Sequence, residues 1–278
     1  MTNPDVNSVV QRTKEYYDGP ADEIYSAIWG GGDVHLGIPP YDGASFQEAM
    51  ANTNRIMAEA VSLDANTRVI DMGSGYGSTA RFLAKTYGCQ VVASNLSEKE
   101  NQVSQEEAEK EGVGHLVSAE YGDFHDLPYE DHSFDVVWSQ EAFLHGADKH
   151  KILSEAHRVL KPGGTLVFTD ILVSPDTPDA DRQRIYERLR TSDIWGMDAY
   201  RDALQKAGFK VQEVRDWSEY VAPSYSWVRD TLKQNRETMV ARAGEETVDS
   251  QINALTFWVD SANAGLIGWG LFVATKPA

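Results

Sequence analysis

Asp71 stands two residues ahead of three glycines at alternate positions, Gly73, Gly75 and Gly77. Before it, Val69 and Ile70 read as a short buried strand. After the glycines, residues 78–87 read as a helix with Phe82, Leu83 and Tyr87 on its apolar face. A strand that breaks into glycines and re-enters a helix aims backbone N–H groups at open space, and glycine lets a ligand approach that backbone. The Asp71 carboxylate, at the strand end, can take the ammonium group of an amino acid directly or through water. Glu141 and His145 form a second constellation. They lie four apart, one helical turn, so their side chains can meet on one face and handle a proton together. Each feature also has a plainer reading: a strand–turn–helix corner for the glycines, a solvated helix start for Glu141, a capped or core histidine for His145.

The elements that must position these groups follow a regular βα rhythm, which predicts a mostly parallel seven-stranded sheet with helices on both faces. Residues 45–60 read as a helix leading into the strand before the glycines. Strands follow at 90–94, 117–121, 134–138 and 164–171, the last behind the tight turn Lys161-Pro162-Gly163-Gly164. From 174 to 197 the chain leaves this rhythm, with a basic helix over 181–190 that reads as a cap over the carboxyl ends of the strands, where ligands bind in open α/β sheets. A helix at 198–207, a strand at 210–216, helices at 225–242 and 247–263 and a strand at 268–275 complete the pattern. At the start, helices at 6–17 and 23–28 precede Gly30-Gly31-Gly32, and the aromatics Tyr16, Tyr17, Tyr25 and Trp29 gather there as a lid. The resulting division is a helical lid over 1–60, a cofactor-binding core over 61–173, a cap insertion over 174–200 and a completion of the core over 201–278.

Composition narrows the classes. With 278 residues and 41% hydrophobic content the chain can bury a core. Its apolar runs are too short to span a bilayer, its first residues form no secretory signal, and its single cysteine, Cys89, excludes an intrachain disulfide and a cysteine-rich zinc site. A cytoplasmic setting follows, with no membrane partner and no metal. A net charge of −18 argues against nucleic-acid binding, which needs basic patches. It suits a soluble acidic protein or a surface adapted to high salt.

The spacing Asp71-x-Gly73-x-Gly75-x-Gly77 differs from a dinucleotide fingerprint, whose third glycine comes one residue later. It resembles motif I of the class I methyltransferases, which bind S-adenosylmethionine. The segments IWGGGDVHLG at 28–37, WSQEAFLH at 138–145 and WGLFVATK at 269–276 are similar to the sarcosine/dimethylglycine N-methyltransferases, with a relation to the phosphoethanolamine methyltransferases. The resemblance covers nearly the whole chain and implies a Rossmann-like α/β fold. It departs after strand five, where Thr169-Asp170-Ile171-Leu172-Val173 replaces a TDPMQ-like segment. The family's arginine there matches Arg188, and a neighbouring histidine is replaced by Arg190.

The resemblance implies a role for each group. Asp71, Gly73 and Gly75 would hold the methionine end of the cofactor. Asn95 would bond the ribose hydroxyls where many such enzymes place an acid, and Leu96 would lie against adenine. Asp123 would accept from the adenine amino group, Phe124 would offer its backbone N–H, and Trp29 and Ser139 would complete the cofactor site. Gln140 would bind either cofactor or substrate. Glu141 and His145 match an acid–histidine dyad and would favour the neutral amine. Tyr25, Trp29, Trp138 and Trp195 would form an aromatic cage for a quaternary ammonium. Arg188 would clamp a substrate carboxylate, with Arg190 and Arg184 behind it, and Tyr225 would line the pocket.

The expected reaction is in-line methyl transfer from S-adenosylmethionine to sarcosine and dimethylglycine, giving glycine betaine, an osmoprotectant, and S-adenosylhomocysteine. The alternative is methylation of another small metabolite: phosphoethanolamine, another amino acid, or an oxygen or carbon nucleophile. The partner is a small-molecule amine, and the chain acts as a monomer or homodimer.

Overall fold

The computed structural model describes residues 35–189, 191 and 193–278. The expected lid helices, Tyr25, Trp29 and Arg190 lie outside the described residues. The element order is α1 (Phe46–Glu59), β1 (Arg68–Met72), α2 (Ser78–Tyr87), β2 (Gln90–Asn95), α3 (Glu98–Lys110), β3 (Val117–Tyr121), β4 (Phe134–Gln140), α4 (Lys149–Val159), β5 (Leu160–Val173), α5 (Asp179–Leu189), α6 (Met197–Lys206), β6 (Lys210–Asp216), α7 (Val221–Gln234), α8 (Arg236–Ala243), α9 (Glu245–Asn263) and β7 (Ile267–Thr275). The strands form one sheet in the order β3-β2-β1-β4-β5-β7-β6. The pairs from β3 through β5 are parallel, and β7 runs antiparallel between β5 and β6.

Strand residues alternate between two apolar cores. Val69, Val91, Val136, Val167 and Leu271 face one core, shared with Met50 and Met57 of α1, Leu83 of α2 and Leu255 of α9. Ile70, Val92, Val137, Phe168 and Phe272 face the other, against Ile152 and Leu153 of α4 and Tyr200 and Leu204 of α6. A sheet covered on both faces needs apolar residues in continuous runs, as β4 and β5 have. The strand order reverses between β1 and β4, so the loops leaving their carboxyl ends diverge and open a crevice.

Local signals set most boundaries. Ser45 and Glu48 form a reciprocal capping box at the start of α1: the Glu48 N–H donates to Ser45 Oγ at 3.2 Å, and the Ser45 N–H donates to Glu48 Oε2 at 2.8 Å. Two expectations shift. The single helix over 225–242 is two helices broken at Asn235, and the first begins four residues earlier, at Val221. The expected fifth strand over 164–171 extends to Leu160–Val173.

Candidate active site

The glycines of the turn are required for two different reasons. Gly73 (φ 85°) and Gly75 (φ 52°) both take left-handed backbone, which favours glycine. A Cβ at Gly73 would come within 2.4 Å of Ala142 Cβ, so the β1 turn can pass the β4 turn only without a side chain. A Cβ at Gly75 would meet nothing within 4 Å, so that position faces open space. The turn is tied to β2 by the Gly73 N–H, which donates to the Ser94 carbonyl at 2.8 Å.

Two cavities adjoin at this turn and share Gly73, Gly75, Tyr76 and Gln140 in their walls. The smaller, about 380 Å³, holds Asp71 with His35, Ser74 and Thr79. Asp71 is 3% exposed, and burial pushes its carboxyl up to about 7, against a lowering pull from His35. His35 stays at this wall because residues 35–38 are strapped across the strand ends. The Ile38 N–H donates to Thr53 Oγ1 (3.0 Å), Asn52 Nδ2 to the Ile38 carbonyl (2.9 Å) and the Gly37 N–H to Ser224 Oγ (3.3 Å).

The larger cavity, about 730 Å³ and open to solvent, is lined on one side by Asn95, Leu96, Glu100 and Phe124. Glu100, in the first turn of α3, is 3% exposed and accepts from Asn95 Nδ2 at 2.5 Å. A carboxylate thus stands beside Asn95 in this wall, five residues later in the chain. On the other side the cavity is lined by Gln140, Glu141 and His145.

Glu141 and His145 share this wall but not one helical face. Glu141 takes left-handed backbone (φ 46°), and residues 143–145 form a short 3-10 turn, so the helical spacing assumed for the pair does not apply. The Glu141 carboxylate reaches the sheet. Its Oε1 accepts from Thr169 Oγ1 (2.6 Å) on β5 and from Trp269 Nε1 (2.7 Å) on β7, and its Oε2 accepts from the Leu36 N–H (3.2 Å). Burial raises its pKa, while His35 and these donors pull it down. His145 donates a ring N–H to the Leu189 carbonyl, and burial, reinforced by the Lys149 cation, pushes its pKa down to about 4. The imidazole is therefore neutral at physiological pH. Lys149 itself is 3% exposed and donates to the carbonyls of Gly146 (3.3 Å) and Asp193 (2.6 Å), pinning the cap to this turn.

Several predicted residues have other tasks. Ser139 is fully buried and donates to the Met72 carbonyl at 2.7 Å, bracing β4 on β1 rather than facing either cavity. Asp123 turns its Oδ1 to the His125 N–H (2.8 Å) and Nδ1 (2.7 Å), so Gly122 and Phe124 face the cavity instead. Trp138 is 0% exposed and cannot form part of a cage. Its alternating strand is buried on both faces, and its indole N–H donates to Gln140 Oε1 at 2.9 Å. Trp195 packs against the α4–α6 core beside His150 and Tyr200, on the sheet face opposite Tyr225. Tyr225 stacks on Trp258 (5.4 Å between centroids), and the Arg188 guanidinium lies 5.8 Å from the same ring. Trp258 thus brings Arg188 and Tyr225 together, while Arg184 stacks separately over Phe257.

Residues 70–168 match the methyltransferase domain family. The chain is 35% identical to a sarcosine/dimethylglycine N-methyltransferase of Halorhodospira halochloris over 272 residues, covering 97% of this chain and 98% of that one. The chain belongs to the sarcosine/dimethylglycine N-methyltransferase family. It is 37% identical over 269 residues to a glycine/sarcosine/dimethylglycine N-methyltransferase of Actinopolyspora halophila, 96% of this chain but spanning only 48% of that protein's length. A solved structure of a candidate sarcosine dimethylglycine methyltransferase from Galdieria sulphuraria superposes with a TM-score of 0.88 at 29% identity, covering 94% of this chain and 98% of that one.

A member of this family is a methyltransferase, and its cofactor is S-adenosylmethionine. The residues present fit that group. Among the described residues, Ser74 Oγ and Gln140 Nε2 are buried without a hydrogen-bond partner, and both belong to walls of the Asp71 cavity. An acidic group beside unpaired donors suits a zwitterionic amino-acid end, and the larger cavity, polar at Asn95 and Glu100 and apolar at Leu96 and Phe124, suits a nucleoside. No group of three metal-ligating side chains occurs among the described residues, and no described helix is long and apolar enough to cross a membrane. Sequence reasoning missed Glu100, Thr169, Trp269 and Trp258. Glu100 read as part of a polar helix face, and the other three meet the site only through sheet order and helix packing.

Proposed function

We propose that the chain methylates the nitrogen of sarcosine and dimethylglycine, yielding glycine betaine. The observation that carries this reading is the placement of Glu141 and His145 in the wall of the cavity that also holds Asn95 and Glu100, next to the Asp71 cavity. The names of the full-length relatives point to the same acceptors. Bound S-adenosylmethionine supplies an electrophilic methyl group on a sulfonium. Asp71 takes its ammonium, Asn95 and Glu100 take its ribose hydroxyls, and Leu96 and Phe124 flank its base.

The acceptor amine is protonated in water, with a pKa of roughly 10 for an alkylammonium. The buried wall, which disfavours a cation as it does on His145, favours the neutral amine; its proton leaves to solvent, and the nitrogen lone pair, oriented beside the neutral imidazole, is free for the methyl carbon. Glu141, held by three donors, presents its carboxyl group to the cationic centre. Arg188, backed by Trp258 and Tyr225, clamps the acceptor carboxylate. The segment ahead of α1 acts as lid and residues 174–200 as cap. The setting is the cytoplasm of a cell that accumulates betaine as an osmoprotectant, and the protein works as a monomer or homodimer.

The test is methyl transfer from labelled S-adenosylmethionine to glycine, sarcosine, dimethylglycine and phosphoethanolamine at low and high salt. Label in betaine from dimethylglycine is the expected result. Transfer to phosphoethanolamine alone, or to none of the four, overturns the acceptor while leaving fold and cofactor standing.

A further inference from the structure

Gln140 carries an amide whose orientation is decided by its neighbours. Its Oε1 accepts from Trp138 Nε1 at 2.9 Å and from Thr79 Oγ1 at 2.9 Å. An indole nitrogen can only donate. Exchanging the amide oxygen and nitrogen would set an NH₂ against that indole N–H, donor facing donor, so only one orientation is tenable. Both partners are themselves fixed: Trp138 is fully buried on β4, and Thr79, 6% exposed, sits in the first turn of α2 directly behind the glycines. The consequence appears at the other end of the amide. Nε2 is buried, has no hydrogen-bond partner among the described residues, and belongs to a side chain in the walls of both cavities.

An amide NH₂ held this way asks for an acceptor, and Asp71 in the same wall asks for a cation. An α-amino acid supplies both, its ammonium to Asp71 and its carboxylate to Gln140, with Ser74 Oγ as a second unpartnered group for that carboxylate. We infer that Trp138 and Thr79 are positioning residues that lock Gln140 as the donor to the carboxylate of the cofactor's methionine end. The inference rests on the cofactor and not on which amine is methylated. It also gives Trp138 a task that alternation along β4 does not suggest.

The test is calorimetric titration of the full chain with S-adenosylhomocysteine and with 5′-methylthioadenosine, which lacks the amino-acid end. Thr79→Val keeps the side-chain shape and removes one donor to Gln140. It is expected to weaken S-adenosylhomocysteine by about tenfold, as loss of a charge-assisted hydrogen bond does, and to leave methylthioadenosine within about twofold. Thr79→Ser is expected to restore binding. Trp138→Phe, which keeps a ring but removes the N–H, is expected to act in the same direction as Thr79→Val. Equal weakening of both ligands would mean that the pair merely supports the fold, and would overturn the lock. Unchanged S-adenosylhomocysteine binding would mean that Gln140 is not locked toward that carboxylate by this pair, and would overturn it too. Neither result depends on the identity of the acceptor.

Discussion

The glycine-turn side of the site and the cap side are built on different principles. On the first, Asp71, Gly73, Gly75 and Thr79 lie within one strand–turn–helix unit, and neighbouring strands add Asn95 and Gln140. On the second, Glu141 is held by Leu36, Thr169 and Trp269, His145 donates to Leu189, and Arg188 leans on Trp258. Those partners come from β5, β7, α5, α9 and the segment before α1. A local unit tolerates change elsewhere in the chain, whereas a site assembled from distant elements shifts whenever one of them does. On the proposed reading, the cofactor side is the local unit and the acceptor side is the one assembled from distant elements.

The sharpest way to break this division is at His145. If the cap side orients the neutral amine, His145→Ala should lower kcat by about a hundredfold or more, the scale on which a misplaced reactant slows a step. Affinity for S-adenosylmethionine should stay within about twofold. Steady-state turnover and calorimetry on the same preparation check this, and normal turnover would remove His145 from the chemistry.

Asp71 tests the other side. Asp71→Ala leaves the cofactor's ammonium without its partner and should weaken S-adenosylmethionine by about thirtyfold or more. The pH dependence has a definite sign. Burial holds the Asp71 carboxyl at about 7, above its ordinary 3.8. Cofactor affinity should therefore fall as pH drops below about 7, where the carboxyl takes up a proton. Stability runs the other way. A folded-state pKa raised above the unfolded value contributes stability that is present below pH 3.8 and lost as pH rises through about 7. Asp71→Asn should raise Tm by about 4 °C at pH 8 and change it little at pH 4, while still weakening cofactor binding. A Tm unchanged at both pH values would mean that burial does not strain this carboxylate.

The same contrast explains what could be read without coordinates. The glycine turn, the parallel rhythm and nearly every strand are local patterns, visible because apolar runs, caps and turns lie next to one another in the chain. Trp138 goes to the core rather than to a cage because β4 is buried on both faces, so alternation cannot say which way an aromatic points. The break at Asn235 was invisible because neither glycine nor proline marks it. Trp269 lies 128 residues from Glu141, and only the antiparallel insertion of β7 beside β5 brings them together. The helical spacing of Glu141 and His145 fails for a local reason: a separation of four places side chains on one face only in an α-helix, and Glu141 has left-handed backbone.

Arg188 sharpens the account of the cap side at a smaller scale. Its guanidinium is part of an arrangement with Trp258 and Tyr225, so Arg188→Ala should raise KM for a carboxylate acceptor by about tenfold with kcat little changed. Arg188→Lys should recover only part of the loss, because an ammonium cannot make the paired, planar contact of a guanidinium. Equal KM values for wild type and both variants would place the carboxylate clamp elsewhere.

The smallest expected effect lies at Glu100, and it separates the nucleoside from the methionine end. Glu100 and Asn95 share one hydrogen bond, and both line the larger cavity. Replacing the carboxylate with an amide in Glu100→Gln keeps the size and one acceptor, so binding should weaken only about threefold. Because ribose is common to S-adenosylhomocysteine and methylthioadenosine, both should weaken together, unlike the selective loss expected at Thr79. If only the ligand with the amino-acid end weakens, Glu100 acts on the methionine side, and the division of the two cavities into a nucleoside part and an amino-acid part has to be redrawn.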